Sequence, residues 1–204
     1  MSSCWSCAAA APADELFCPS CGALQPAPAG GDHFAALGLP RSYALDPAEL
    51  ERHFRDRSRL LHPDRFARKT PRERRLSLER STRLNDAYRT LREPRARAAY
   101  LLKLLGRDPQ AEARTLHDPE FLEEQLAARE ELAEARAEGD ARRLALLATG
   151  ARDRLRALEE EVACALGPAA PGPEALDTAV RALVRARYYE NVASEAEGSP
   201  RTHG

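Results

Sequence analysis

Asp46-Pro47-Ala48-Glu49-Leu50-Glu51-Arg52-His53-Phe54-Arg55-Asp56-Arg57-Ser58-Arg59-Leu60-Leu61-His62-Pro63-Asp64 is the stretch whose reading decides the fold. Asp46 can cap the free N–H groups of a helix, and Pro47 suits its first turn. The helix runs through about Leu61 and stops before Pro63, because the residue preceding proline resists helical geometry. At about 100° per residue, Leu50, Phe54 and Leu61 share one face. Arg52, Arg55 and Arg59 fall on the opposite face and are expected in solvent. Arg57 alone interrupts the apolar side, where it can snorkel along the helix edge. Pro63 then stiffens a corner from which His62 and Asp64 project. Arg65, Arg68 and Lys69 carry the positive charge past the corner.

Outward from this stretch the punctuation stays helical. Thr70-Pro71-Arg72-Glu73 forms a capping box, and Leu84, Ala87, Tyr88 and Leu91 follow at helical spacing up to Pro94. A fourth helix spans Arg95 to Leu105, and Asp32 and Gly38 bracket a short first one. A second block opens at Asp118-Pro119, breaks at Gly139, and restarts on Asp140. Leu144, Leu147, Ala151, Leu155, Leu158, Val162 and Leu166 then make one apolar stripe. After a break from Gly167 to Pro173, a last helix carries Leu176, Val180, Leu183 and Val184 and ends near Val192. Three helices with short connections predict an antiparallel bundle. Ala, Leu, Arg and Glu dominate, and β-branched residues are scarce, so the expected class is all-α.

The zones are a four-cysteine segment at 1–25, a Pro/Gly linker at 26–31, a helical block at 32–107, a connector at 108–117, a three-helix bundle at 118–192 and a polar tail at 193–204. The formal net charge of -1 excludes bulk attraction to nucleic acid or membranes. Neither a secretory signal nor a bilayer-length apolar run is visible, so a soluble cytoplasmic protein is expected. In that reducing setting clustered cysteines point to metal rather than disulfides. Cys4-Trp5-Ser6-Cys7 and Cys18-Pro19-Ser20-Cys21 each offer two thiolates from one turn, together a closed tetrahedral structural Zn²⁺ site. A redox pair or an iron site is the alternative; the strand–helix surroundings of a redox pair are missing. The remaining thiol, Cys164, is expected to pack in the bundle.

The His62-Pro63-Asp64 corner between a basic amphipathic helix and a second amphipathic helix resembles the J-domain signature. That resemblance implies docking of the loop and of Arg52, Arg55 and Arg59 on the ATPase domain of a DnaK-type chaperone, with faster ATP hydrolysis as the result. J-domains usually place a leucine where Arg57 stands. Further on, Asp32-His33-Phe34, Asn85-Asp86-Ala87-Tyr88, Arg97-Ala98-Ala99-Tyr100-Leu101-Leu102 and Phe121-Leu122-Glu123-Glu124-Gln125-Leu126 resemble the HscB family of iron–sulfur cluster assembly. The resemblance implies a C-terminal bundle that binds the scaffold protein IscU and presents it to the chaperone HscA. Leu122, Leu126, Glu130, Glu134 and Tyr188 match the family's scaffold-binding positions. The first four are spaced by four, hence one helix stripe. Glu123 and Ala127 depart from the pattern of bacterial relatives, which often carry Met and Glu there. The cysteine segment resembles the zinc module of animal HscB proteins.

Other classes fare worse. The cysteine segment has no basic residue between Cys4 and Cys21, against phosphate binding. No glycine-rich phosphate loop, nucleophile–base pair or open metal site suggests an enzyme. His33, His53, His117 and His203 are scattered and are expected to be solvated or locally bonded.

Overall fold

The structure, a computed structural model, describes residues 2–12, 15–114, 118–168 and 170–198. His117 and His203 lie outside these residues. The chain divides into two compact units, Met1–Arg97 and Ala98–Gly204.

In the first unit, β1 (Ser2–Ser3) pairs antiparallel with β2 (Ala10–Ala11), a small ribbon not anticipated from the sequence. Helix α1 (His33–Leu37) is capped by the Asp32 carboxylate and closed by Gly38 in the left-handed conformation, φ 68°. Helix α2 (Pro47–Leu61) starts on Asp46, and α3 (Pro71–Arg92) starts on the reciprocal Thr70–Glu73 capping box. Both α1 and α2 pack on α3. Leu50 and Leu61 are buried, while Phe54 is half-buried and stacks on Tyr88 with ring centroids 4.1 Å apart. Arg57 lies on the apolar side as expected. Its guanidinium donates to the Ala36 carbonyl over 3.2 Å and covers Gly38, where a Cβ would meet it at 2.0 Å. The polar end thus finds a carbonyl instead of solvent, which lets an arginine stand on that face.

Helix α4 (Pro94–Leu104) runs across the division between the units, and α5 (Pro109–Glu112) is a single short turn. The second unit holds α6 (Pro119–Glu138), α7 (Ala141–Leu166) and α8 (Pro173–Ala196). Asp118 and Asp140 cap α6 and α7, and Gly139 closes α6 at φ 68°. Arg154 pairs with Glu124 and Arg143 with Glu134, so α6 and α7 run antiparallel. Arg185 pairs with Asp118 and Arg136 with Glu195, so α8 returns parallel to α6. The α7 stripe faces α8, whose Ala179, Ala182, Ala186, Ala193 and Ala196 are buried. Small residues there let two long helices approach closely. Helix α8 continues four residues past Val192, to Ala196, because no helix breaker stands before Gly198. Cys164 is exposed on α7, not packed in the bundle; Val162, Ala165 and Leu166 take the inward positions of that turn.

Candidate functional site

The corner after α2 is built by local rules. His62 ends α2 with φ -57° and ψ 129°, and Pro63–Phe66 then form one tight 3-10 turn. The Asp64 N–H donates to His62 Nδ1 over 3.3 Å, and the Arg65 N–H donates to the His62 carbonyl over 3.0 Å. The same Nδ1 lies 3.5 Å from the Asp64 carboxylate. The imidazole is 55% exposed and the Asp64 side chain 90%. Phe66, by contrast, is buried and anchors the turn in the core. Ser77 and Ser81 of α3 both donate to the Leu61 carbonyl, over 2.6 and 3.0 Å. These three anchors escaped the sequence reading; an apolar residue set among charges was the one signal available, at Phe66.

Arg52, Arg55 and Arg59 are exposed on one side of α2. Each meets a carboxylate of its own helix: Arg52 with Glu49 at 3.6 Å, Arg55 with Glu51 at 2.6 Å, and Arg59 with Asp56 at 3.8 Å. Such solvent-facing pairs open at little cost. His53 Nδ1 lies 3.0 Å from the Leu37 carbonyl and serves packing.

On α6, Leu122 and Leu126 are exposed, 60% and 54%, so they are surface and not bundle core. Glu130 and Glu134 continue the exposed stripe, with Glu134 reached by Arg143 at 3.3 Å. Tyr188 of α8 donates its hydroxyl to the Gln125 carbonyl over 3.1 Å and sets its ring edge-on to Phe121. Burial pushes its phenol upward, toward the protonated form. Tyr188 therefore stands beside Gln125, next to Leu126, whereas Glu134 is turned to Arg143 of α7. Arg143, which tethers Glu134, was not among the expected residues.

The four thiols come together. Sγ of Cys4 lies 3.7 Å from that of Cys21, Cys7 lies 3.7 Å from Cys18, and all four fall within 4.8 Å of one another. Four sulfurs about 2.3 Å from a central ion sit about 3.8 Å apart along the edges of a tetrahedron. Two matching turns create this spacing. In the first, Ala8 N–H donates to the Cys4 carbonyl; in the second, Gly22 N–H donates to the Cys18 carbonyl. Ala8 and Gly22 take the left-handed conformation at φ 59° and 70°. As a protonated cluster the thiols conflict. Burial opposes the Cys4 thiolate, yet the Cys7 and Ser6 N–H groups and neighbouring thiols bring it down to about 6. The Cys7 thiolate gains from the Ala9 N–H, but its proximity to Cys21 and the other thiols pushes it up to about 12. A central cation resolves that conflict, so the donor set fits a metal ion.

Residues 32–100 match the DnaJ domain, and residues 117–197 match the HSCB C-terminal oligomerisation domain. The co-chaperone HscB homolog of Ralstonia nicotianae is 40% identical over 168 residues, 82% of this chain and 95% of that protein. The chain belongs to the HscB family. The match to the Bordetella pertussis HscB homolog, 45% identical over 108 residues, spans 64% of that protein. The iron-sulfur cluster co-chaperone HscB of Mus musculus is 39% identical over 138 residues, 66% of this chain and 59% of its own. Human HscB superposes with a TM-score of 0.77 at 29% identity, over 96% of both chains. No described helix is long and apolar enough to cross a membrane.

Proposed function

We propose that this HscB-family chain is a co-chaperone of iron–sulfur cluster assembly and not itself an enzyme. Its first unit docks on a DnaK/HscA-type chaperone through His62, Pro63, Asp64, Arg52, Arg55 and Arg59, and speeds that partner's ATP hydrolysis. Its second unit holds an IscU-type scaffold protein on Leu122, Leu126, Glu130, Glu134 and Tyr188, and so delivers it to the same chaperone. The cysteine module carries a structural Zn²⁺, and the protein works in the cytoplasm. The observation that carries the reading is the exposed His62–Asp64 corner, anchored from below and standing at the end of a basic helix face. A rigid, solvent-facing corner loses little freedom when a partner closes on it.

The test is a steady-state ATPase assay with HscA, with and without IscU. The intact chain should raise the rate, more so with IscU. His62→Gln should abolish the effect while leaving the helical circular dichroism unchanged. Equal stimulation by the variant would overturn the loop assignment. Stimulation indifferent to IscU would turn the reading toward a general J-domain co-chaperone.

A further inference from the structure

Polar contacts run from the cysteine cluster to Arg80 of α3, and the helix neighbours of Arg80, Ser77 and Ser81, hold the His62 corner, all within the first unit. The Gln25 side-chain amide donates to Cys4 Sγ over 3.3 Å and to the Ala23 carbonyl over 2.8 Å. The Gln25 carbonyl accepts from Arg80 Nε over 2.7 Å. Arg80 Nη2 donates to the Pro26 carbonyl over 2.9 Å and to the Glu15 carbonyl over 3.5 Å. Arg80 and Gln25 are both buried, 8% and 6% exposed. Each partner named for this guanidinium is thus a carbonyl of the module or of its exit. Burial, with Arg57 and Arg83 nearby, brings its pKa down to about 10.

Arg80 also stands between Ser77 and Ser81, the two residues of α3 that hold the Leu61 carbonyl. That carbonyl is one of the last four of α2, which lack partners within the helix, and its peptide bond leads directly into His62. Arg80 and Leu61 further line one crevice, together with Ala27, Pro28 and Arg83.

We propose that the four-cysteine module is a positioning element for the His62 corner, its folded state transmitted by Gln25 and Arg80 along α3 to Ser77, Ser81 and the Leu61 carbonyl. The significance of the corner rests on the function proposed above; the coupling itself does not. With the sulfurs gathered, Gln25 is fixed and Arg80 is held by three carbonyls. With the module unravelled, a buried cation loses those partners and must move, and fully buried Ser77 cannot keep its place unchanged.

The experiment is hydrogen exchange on the full chain, zinc-loaded and chelator-stripped, read at residues 62–69. The Asp64, Arg65, Ala67 and Lys69 amides, all hydrogen-bonded in the turn, are the reporters. Stripping should speed their exchange about tenfold. Arg80→Met should exchange fast in both states, and Gln25→Ala, a milder change, should lie between. If stripping alters only residues 2–31, the coupling is refuted; it is refuted also if Arg80→Met and Gln25→Ala respond to stripping as the natural chain does, or if the chain takes up no zinc. Normal coupling in a chain that leaves HscA unstimulated would instead count against the proposed function alone.

Discussion

Phe54 of α2 lies flat on Tyr88 of α3, ring centroids 4.1 Å apart and planes 14° from parallel, with the Tyr88 hydroxyl 3.4 Å from Glu51. The pair clamps the helix that carries the arginines to the helix that supports the corner. Tyr88→Ala should therefore destabilise the first unit by about 2–3 kcal/mol. Tyr88→Phe keeps the stack and should cost less than about 1 kcal/mol. Urea denaturation followed by circular dichroism measures both; equal losses would mean that the hydroxyl, not the stack, holds the hairpin.

Much of this architecture was legible because it is written locally. The Asp46, Asp118 and Asp140 caps, the Thr70–Glu73 box, and the Gly38 and Gly139 stops each need only a few neighbouring residues, and each stands where the sequence reading put it. The same holds for the paired cysteine turns. The α6 stripe of Leu122 and Leu126 could be placed on one face, but its exposure depends on where α7 and α8 lie. Arg80 was illegible: on α3 it reads as one more charge, and the carbonyls that bury it lie 54 to 65 residues earlier. Ser77 was silent for the same reason, its acceptor being 16 residues away across a turn. Cys164 was misplaced because a thiol suits either face of a helix, and the neighbours that exclude it are known only once α8 is docked.

Leu126 offers an apolar side chain to solvent one turn from Leu122, and Tyr188 is fastened to the Gln125 carbonyl beside it. Leu126→Ala with Tyr188→Ala should weaken IscU binding by about 2–4 kcal/mol, since such anchors carry most of an interface's energy. Stimulation of HscA without IscU should be spared. Isothermal titration calorimetry and the ATPase assay read the two effects separately. Unchanged affinity would move the scaffold surface elsewhere.

Asp118 caps α6 and pairs with Arg185 of α8, and that hydrogen bond, together with the Phe121 N–H, holds its carboxyl below the ordinary value of 3.8. A carboxyl depressed in the folded state adds stability above its unfolded pKa and loses it as pH falls through the folded value. Asp118→Asn keeps a capping side chain but not the charge. Thermal unfolding should show the natural chain ahead of the variant by a constant margin at neutral pH. The margin should close below about pH 4. A margin unaffected by acid would assign the stabilisation to the cap geometry instead of the ion pair.

Trp5, the single tryptophan, stands between the cluster and α3: its indole N–H donates to the Leu24 carbonyl over 2.7 Å, and Arg72 lies 4.4 Å over its ring. The module has too few apolar residues to fold without its four sulfurs joined, so metal and tryptophan environment should change together. Metal analysis should find about one zinc per chain. Chelation should shift Trp5 emission to the red and make residues 2–25 sensitive to protease, while the far-ultraviolet signal of the helices stays. Cys18→Ser should reproduce the chelated state without a chelator, because Cys18 is a buried thiol of the set and a hydroxyl binds zinc far more weakly than a thiolate. Unchanged Trp5 emission in a chain proven free of metal would show that Arg72, Arg80 and the Leu24 carbonyl hold the module by themselves.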